Sequence, residues 1–293
     1  MDVLRPRTLD EALEMKGARP EALPIAGGTD VMVAINFGDL RPQVVLDVSG
    51  LPELKTWSRT NGSISLGAGV TYARVVREMT GVAPLVQASR SVGSPQIRNR
   101  GTVGGNLGTG SPAGDALPVL ACYGADVLLA GAGRPLRRVP IDAFLLGPKR
   151  TALADDELIV AAAWNAVRGV GSFSKIGTRN AMVIAVASLC LVVDDGHRAV
   201  RVALGSVGPT VLRAPDAESF AEDALTAAGA WDDPRAAVPD AVVLGFAERV
   251  AAAARPIDDV RGSAAYRVHG CEVLARRAFR WALDDRRLEE AEG

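Results

Sequence analysis

Two glycine-rich segments, set far apart in the chain, constrain this fold more than anything else in the sequence. The first is Ala26-Gly27-Gly28-Thr29-Asp30. The second runs Thr102-Val103-Gly104-Gly105-Asn106-Leu107-Gly108-Thr109-Gly110-Ser111-Pro112-Ala113-Gly114-Asp115. Glycine lets a backbone approach a ligand closely and turn its N–H groups outward. A concave run of such groups is a common protein answer to a phosphate or pyrophosphate. The first segment follows a short apolar strand expected at Leu23–Ala26 and opens a helix expected over Val31–Phe37. That arrangement suits an anion. It equally suits a plain strand-to-helix turn with Thr29 or Asp30 as its cap. It is not a Rossmann fingerprint, because Gly-x-Gly-x-x-Gly is absent there. The second segment interleaves its glycines with Thr102, Asn106, Thr109, Ser111 and Asp115, a density of small polar groups that a purely structural loop has little use for. Ser111-Pro112 is expected to cap a helix, with proline at its first position.

A chain of 293 residues suggests two domains, at roughly 150 residues each. Lys plus Arg (33) nearly balance Asp plus Glu (34). Nucleic-acid and membrane-surface proteins normally carry a basic excess, so neither class is expected. No apolar run approaches the 18 or so residues of a membrane span, and Met1–Asp10 has no secretory-signal pattern. The three cysteines, Cys122, Cys190 and Cys271, are odd in number and well separated, which fits neither a disulfide framework nor a metal site. A cytoplasmic setting is the expectation.

Along the chain, Thr8 is positioned to cap a helix over 9–16. Strands are expected at 44–47, 54–59 and 63–67, the last two joined by Asn61-Gly62, a strong hairpin signal. Helices are expected over 71–79, 84–91 and 116–124, and a second hairpin over 127–130 and 136–139. The character changes between Asn165 and Gly171. Three strands (173–176, 184–193, 200–206) precede three helices (218–228, 241–254, 264–284). Strands then helices, segregated in sequence, indicate an α+β domain. A charged, frayed tail is expected from Asp284.

Other polar segments are less specific. Gly67-Ala68-Gly69-Val70-Thr71 reads as a tight packing turn. Arg98 and Arg100 lead into the second glycine segment, where they could meet a phosphate or remain solvated. Lys175 and Arg179 follow a strand, where they could reach a ligand or a partner, or form a solvated turn. His197 and His269 have no partnering motif. No residues form a catalytic or metal-binding arrangement.

Ala26–Asp30, Gly67–Thr71, Ile97-Arg98-Asn99-Arg100-Gly101-Thr102-Val103-Gly104-Gly105-Asn106 and Ser111–Asp115, in this order, resemble the FAD-binding medium subunit of the molybdenum hydroxylases. Carbon monoxide dehydrogenase, xanthine dehydrogenase and 4-hydroxybenzoyl-CoA reductase belong to that family. Gly205–Thr210, Arg213-Ala214, Tyr266–His269 and Arg276-Arg277-Ala278 extend the resemblance into the second half, so it covers residues 3–284.

The resemblance implies a vanillyl-alcohol-oxidase/PCMH-type FAD-binding fold of two α/β subdomains (1–55 and 56–168). A C-terminal α+β domain with a three-stranded sheet and helices (169–286) and a tail (287–293) would follow. It implies that Ala26, Gly27, Gly28, Thr29 and Asp30, with Gly104, Gly105 and Asn106, hold the pyrophosphate. Thr102 belongs to the same cofactor-binding set. Thr109, Ser111 and Asp115 would meet the ribityl and phosphate region, and Lys175 would lie near the flavin ring. Some relatives have His where Thr29 stands; the first segment here has neither His nor Cys, so non-covalent FAD is expected. The cysteine-rich insertion of the benzoyl-CoA reductase relatives is missing, so no cluster is expected in this chain. The implied partners are a molybdenum-cofactor large subunit and a [2Fe-2S] small subunit. In that assembly electrons reach FAD from the [2Fe-2S] subunit and leave to NAD+, oxygen or another acceptor. Two other readings stay open: a free-standing flavin oxidase or dehydrogenase, with Tyr266 or His269 as its base, and a non-redox scaffold subunit.

Overall fold

The computed structural model describes residues 1–292, with side chains described through Leu288. In chain order the first elements are β1 (Asp2–Leu4), α1 (Leu9–Ala18), β2 (Leu23–Ile25), α2 (Val31–Phe37), β3 (Val44–Asp47), β4 (Trp57–Thr60) and β5 (Ser63–Gly67). Then come α3 (Tyr72–Glu78), α4 (Ala83–Ser91), α5 (Pro95–Arg100), α6 (Val103–Thr109), α7 (Ala116–Cys122), β6 (Asp126–Gly131) and β7 (Arg137–Pro140). A short α8 (Ile141–Phe144), the small pair β8 (Leu145–Gly147) and β9 (Arg150–Thr151), and β10 (Glu157–Asn165) follow. The last part holds β11 (Gly169–Ile176), β12 (Ala187–Asp194), β13 (Ala199–Gly205), β14 (Leu212–Arg213), α9 (Pro215–Ala227), α10 (Asp240–Ala253) and α11 (Ala264–Glu292).

The chain divides into two compact units. The first comprises Met1–Glu78, Val92–Ser111 and Gly124–Ala166; the second comprises Met79–Ser91, Pro112–Tyr123 and the chain from Val167 onward. The first unit contains a parallel three-stranded sheet, β1-β3-β2, and an antiparallel five-stranded sheet, β4-β5-β10-β6-β7. Asn61 and Gly62 both have positive φ, as the two-residue turn between β4 and β5 requires. The central strand β10 lies outside the elements expected from sequence. It pairs with β5 on one side and β6 on the other, with a bulge between Ile159 and Ala161. A bulge re-aims the residue it inserts. Here that residue is Val160, whose carbonyl accepts the N–H of Ala68 at 2.9 Å. Ala12, Ala22, Leu46, Leu51 and Leu158 lie at the centre of the apolar core beside the parallel sheet.

In the second unit the sheet is antiparallel, with order β11-β12-β13-β14. It has four strands where three were expected, because the two-residue β14 pairs with β13 through Arg213 and Leu212. Every residue of β12 is buried, which explains its nearly unbroken apolar sequence. Ala187, Leu189, Leu191 and Val193 join the core built with α9, α10 and α11. The Cys190 carbonyl meets the thiol of Cys122 on α7. Strand register thus gives β12 a covering on each face.

Two local expectations need correction. Ser111-Pro112 does not cap a helix; α7 begins four residues later, after Asp115, which makes no side-chain cap bond. The helix starts actually capped near the second glycine segment are α5 and α6, at Ser94 and Thr102, whose side chains accept the N–H groups of Ile97 and Gly105. Finally, α11 continues to Glu292 instead of fraying at Asp284. Arg286, 2% exposed, anchors it by donating to Asp195 and to the Ala230 carbonyl.

Candidate cofactor site

Within the first unit, three segments far apart in sequence meet. The turn Gly67-Ala68-Gly69-Val70-Thr71 ends β5, and the start of α6 lies against it. Val103 N–H donates to Val70 O at 3.2 Å and Gly104 N–H to Ala68 O at 2.9 Å, while Thr71 and Thr102 form a β-bridge. Gly105 N–H donates to Thr102 Oγ1 at 2.9 Å and Asn106 N–H to Thr102 O at 3.1 Å. The N–H groups of Val103, Gly104 and Gly105, which have no helical partner at a bare helix start, are therefore all committed, and that of Asn106 makes the first helical bond. A Cβ on Gly104 would lie 2.4 Å from Ala68 Cβ and 2.6 Å from Ala68 O. Glycine is required there for close packing.

The first glycine segment is different. Among the described residues, no protein acceptor takes the N–H groups of Gly27, Gly28, Thr29 or Asp30. Gly28 has φ +75° and turns the chain through the left-handed region. A Cβ on Gly27 would fall 1.9 Å from Arg100 O, so only glycine lets this loop reach the end of α5. Thr109 Oγ1 donates to Asp30 Oδ2 at 2.8 Å, which joins the end of α6 to the start of α2. The structure thus brings Gly27–Asp30 together with Thr102–Thr109. Asn106 Oδ1 is buried and without a partner among the described residues.

Ser111 follows Gly110, the left-handed cap of α6. Arg98, half-buried, folds back on the carbonyls of Val92 and Gly93.

In the second unit, Lys175 and Asp115 form an ion pair at 2.6 Å, their side chains 10% and 7% exposed. Lys175 Nζ also donates to Ser91 O at 2.9 Å and Val183 O at 3.1 Å, so its three donors are all engaged. Burial pushes the Asp115 carboxyl up, and the Lys175 ammonium and Ser91 hydroxyl pull it back. Asp115 Oδ1 has no partner among the described residues. Ser206, at φ +64°, donates its N–H to Pro112 O at 2.8 Å and fixes the turn that carries Asp115. His269 and Tyr266 are exposed on α11, and exposed His197 lies 2.7 Å from Asp194. Sequence reasoning missed Ser91 and the Ala68 and Val70 carbonyls; backbone carbonyls carry no residue signature.

The residues of the first unit fit a dinucleotide. A run of uncommitted N–H groups suits phosphate oxygens, and buried, unpaired acceptors such as Asn106 Oδ1 call for hydroxyl or N–H donors. FAD carries both. No helix of the described residues is long and apolar enough to cross a membrane.

Comparison with known proteins agrees. Residues 1–163 match the FAD binding domain in molybdopterin dehydrogenase, and residues 172–282 match the CO dehydrogenase flavoprotein C-terminal domain. The xanthine dehydrogenase FAD-binding subunit of Escherichia coli O157:H7 is 30% identical over 75% of this chain and 78% of its own length. The nicotine 6-hydroxylase medium subunit of Paenarthrobacter nicotinovorans is 29% identical over 94% of both chains. Among solved structures, carbon monoxide dehydrogenase from Hydrogenophaga pseudoflava superposes with a TM-score of 0.84 at 26% identity, covering 98% of each chain. The fold is the FAD-binding fold of these flavoproteins followed by their C-terminal α+β domain, and this chain belongs to the FAD-binding subunits of the molybdenum hydroxylase family of oxidoreductases.

Proposed function

We propose that this chain holds FAD non-covalently and serves as the electron-transfer subunit of a molybdenum hydroxylase. It would receive electrons from a [2Fe-2S] partner subunit, beside a molybdenum-cofactor large subunit, and pass them to NAD+, oxygen or another acceptor. A cytoplasmic setting goes with that assembly. The observation that carries the reading is the contrast between the two glycine segments. Among the described residues the N–H groups of Gly27–Asp30 have no protein acceptor, while those of Val103 and Gly104 are spent on the Gly67–Thr71 turn and those of Gly105 and Asn106 on Thr102.

Bound FAD supplies the redox chemistry, and the protein supplies binding, orientation and electrostatics. In this reading the Gly27–Asp30 amides take the pyrophosphate oxygens. Thr102, Gly104 and Gly105 hold α6 against the Gly67–Thr71 turn so that Asn106 Oδ1 faces a donor of the cofactor. Thr109 keeps the Asp30 carboxylate occupied, which limits its repulsion of an incoming phosphate. Ser111 and Asp115 serve the ribityl region. Lys175 pairs with Asp115 and offsets part of the cost of burying its carboxylate. The non-covalent reading rests on the first segment, which offers neither His nor Cys.

The test is the visible absorption spectrum of the purified chain before and after acid precipitation. Flavin bands that move to the supernatant are expected. A colourless chain that also fails to take up added FAD would overturn the reading.

A further inference from the structure

The sheet of the second unit ends in a nearly open edge. β14 pairs with β13 only at Ala203 and Leu204, so the stretch Ala199–Val202 has a neighbouring strand on one side alone, where β12 lies. Along an antiparallel strand, successive residues turn their N–H groups to opposite sides. A strand edge that leaves such groups free is a template for a further strand. Two carboxylates of α9 occupy this edge. Val200 N–H donates to Glu222 Oε1 at 2.9 Å, and Val202 N–H donates to Glu218 Oε1 at 2.8 Å. The next residue on that side, Leu204, is the one that β14 covers through Leu212. Every second residue from Val200 to Leu204 is thereby engaged.

The two glutamates stand one helical turn apart, which puts both on the face of α9 toward the strand. Ala217, Ala221 and Leu225 of the same helix enter the apolar core and fix it beside β13. Arg213, on β14 itself, holds Glu218 from the other side: its Nε donates to Oε1 and its Nη2 to Oε2, both at 2.6 Å. Glu218 is 8% exposed and Glu222 is half-buried. A buried charge is a costly way to fill space, but it suits an edge. A carboxylate accepts hydrogen bonds and, ionised, donates none. It satisfies the strand's N–H groups, offers no N–H of its own, and repels the carbonyls of an incoming chain. We propose that Glu218 and Glu222 form a side-chain seal that keeps β13 from adding a strand, and that the strand excluded is β13 of a second copy of this chain. Two copies of one strand meet antiparallel about a two-fold axis, each N–H opposite a carbonyl of the other, so β13 is complementary to itself once the seal is removed.

The test opens the edge in two steps, in the full chain in the form in which it is isolated. Glu222→Ala frees the Val200 N–H and leaves the Arg213–Glu218 pair intact. Adding Arg213→Met/Glu218→Met frees Val202 as well, by removing both partners of a buried pair, which a fold tolerates better than the loss of one. Light scattering should find an apparent mass that rises with concentration toward roughly double, at lower concentration in the triple variant than in the single one. Glu222→Gln keeps an acceptor for Val200 and should match the wild type. Adding Val200→Pro to Glu222→Ala removes the freed donor, as an edge position permits, and should abolish the association. A constant mass in both opened variants would overturn the proposal. So would association that survives Val200→Pro, since it then runs through another surface. The wild-type chain supplies a readout that depends on no variant folding. Its Val200 and Val202 amide protons should exchange as slowly as those paired between β12 and β13, and rapid exchange at both would show that the edge is not sealed.

Discussion

Two adjacent glycines in α6 do different work, and the difference is measurable. A methyl group on Gly104 meets backbone and Cβ atoms of Ala68 at 2.4–2.8 Å, none of which can turn aside. Overpacking of this kind costs about 1–3 kcal/mol. At Gly105 the nearest atom is Thr102 Oγ1 at 3.1 Å, and replacing a helical glycine with alanine returns about 0.5–1 kcal/mol of backbone entropy. Gly104→Ala should lower the urea midpoint and shed flavin; Gly105→Ala should leave both near wild type. Equal losses at the two positions would show that the contact with Ala68 is not what Gly104 provides. The sequence made these glycines conspicuous but left their assignment open. Which N–H groups remain uncommitted depends on carbonyls more than thirty residues away, at Ala68 and Val70, and no local pattern reveals that. Asn106 Oδ1 and the Lys175–Asp115 pair were legible as residue types in suggestive places. Their burial was not.

At the scale of elements, legibility followed local chemistry. The β4–β5 hairpin announced itself through Asn61-Gly62, and β12 through its apolar run. The centre of the first unit's larger sheet, β10, did not. Its Leu-Ile-Val-Ala-Ala-Ala-Trp core lacks the alternation that marks a half-buried strand, and both of its pairing partners are remote in sequence. The starts of α5 and α6 were readable in principle from Ser94-Pro95 and from Thr102 three residues before Gly105, since each is a cap signature. The C-terminal end of α11 depends on one side chain. Arg286 donates to Asp195 Oδ1 and Ala230 O, and its guanidinium lies 5.3 Å from the Trp231 ring. Arg286→Ala leaves a buried carbonyl and a carboxylate unpaired. Because Asp195 retains some solvent contact, the cost should be about 1–3 kcal/mol. Arg286→Met, which keeps the stem packed, should recover part of it. Amide exchange over residues 281–288 should accelerate in the alanine variant; unchanged protection there would mean that the helix end is held by something else.

Across the whole molecule, each unit carries carboxylates held below their usual range by guanidinium and amide donors. In the first unit Arg74, with Trp57 and Arg77, brings Glu78 down to about 2, and Arg137 lowers Glu157. In the second, the Arg261 N–H, with the Arg261 and Arg267 guanidinium groups, brings Asp259 down to about 2. A carboxylate whose folded pKa lies below its unfolded value stabilises the fold above the unfolded value. That contribution is lost as pH falls through the folded one. The window is therefore pH 4.5 to 2 for Glu78 and 3.8 to 2 for Asp259. Asp115 works in the opposite sense, because burial raises its pKa and favours its protonated form in the folded chain. With Glu21 and Glu53 also lowered and Asp285 also raised, five depressed carboxylates stand against two raised ones among the described residues, which should make acid destabilising. The urea midpoint should fall between pH 5 and pH 3. Solvent screening keeps each exposed pair modest, so the test is the slope and not the absolute stability. Glu78→Gln/Asp259→Asn should start lower at pH 5 and lose less on acidification, because two of the groups that take up protons are gone. A variant whose midpoint falls in parallel with the wild type would mean that other carboxylates set the acid limit.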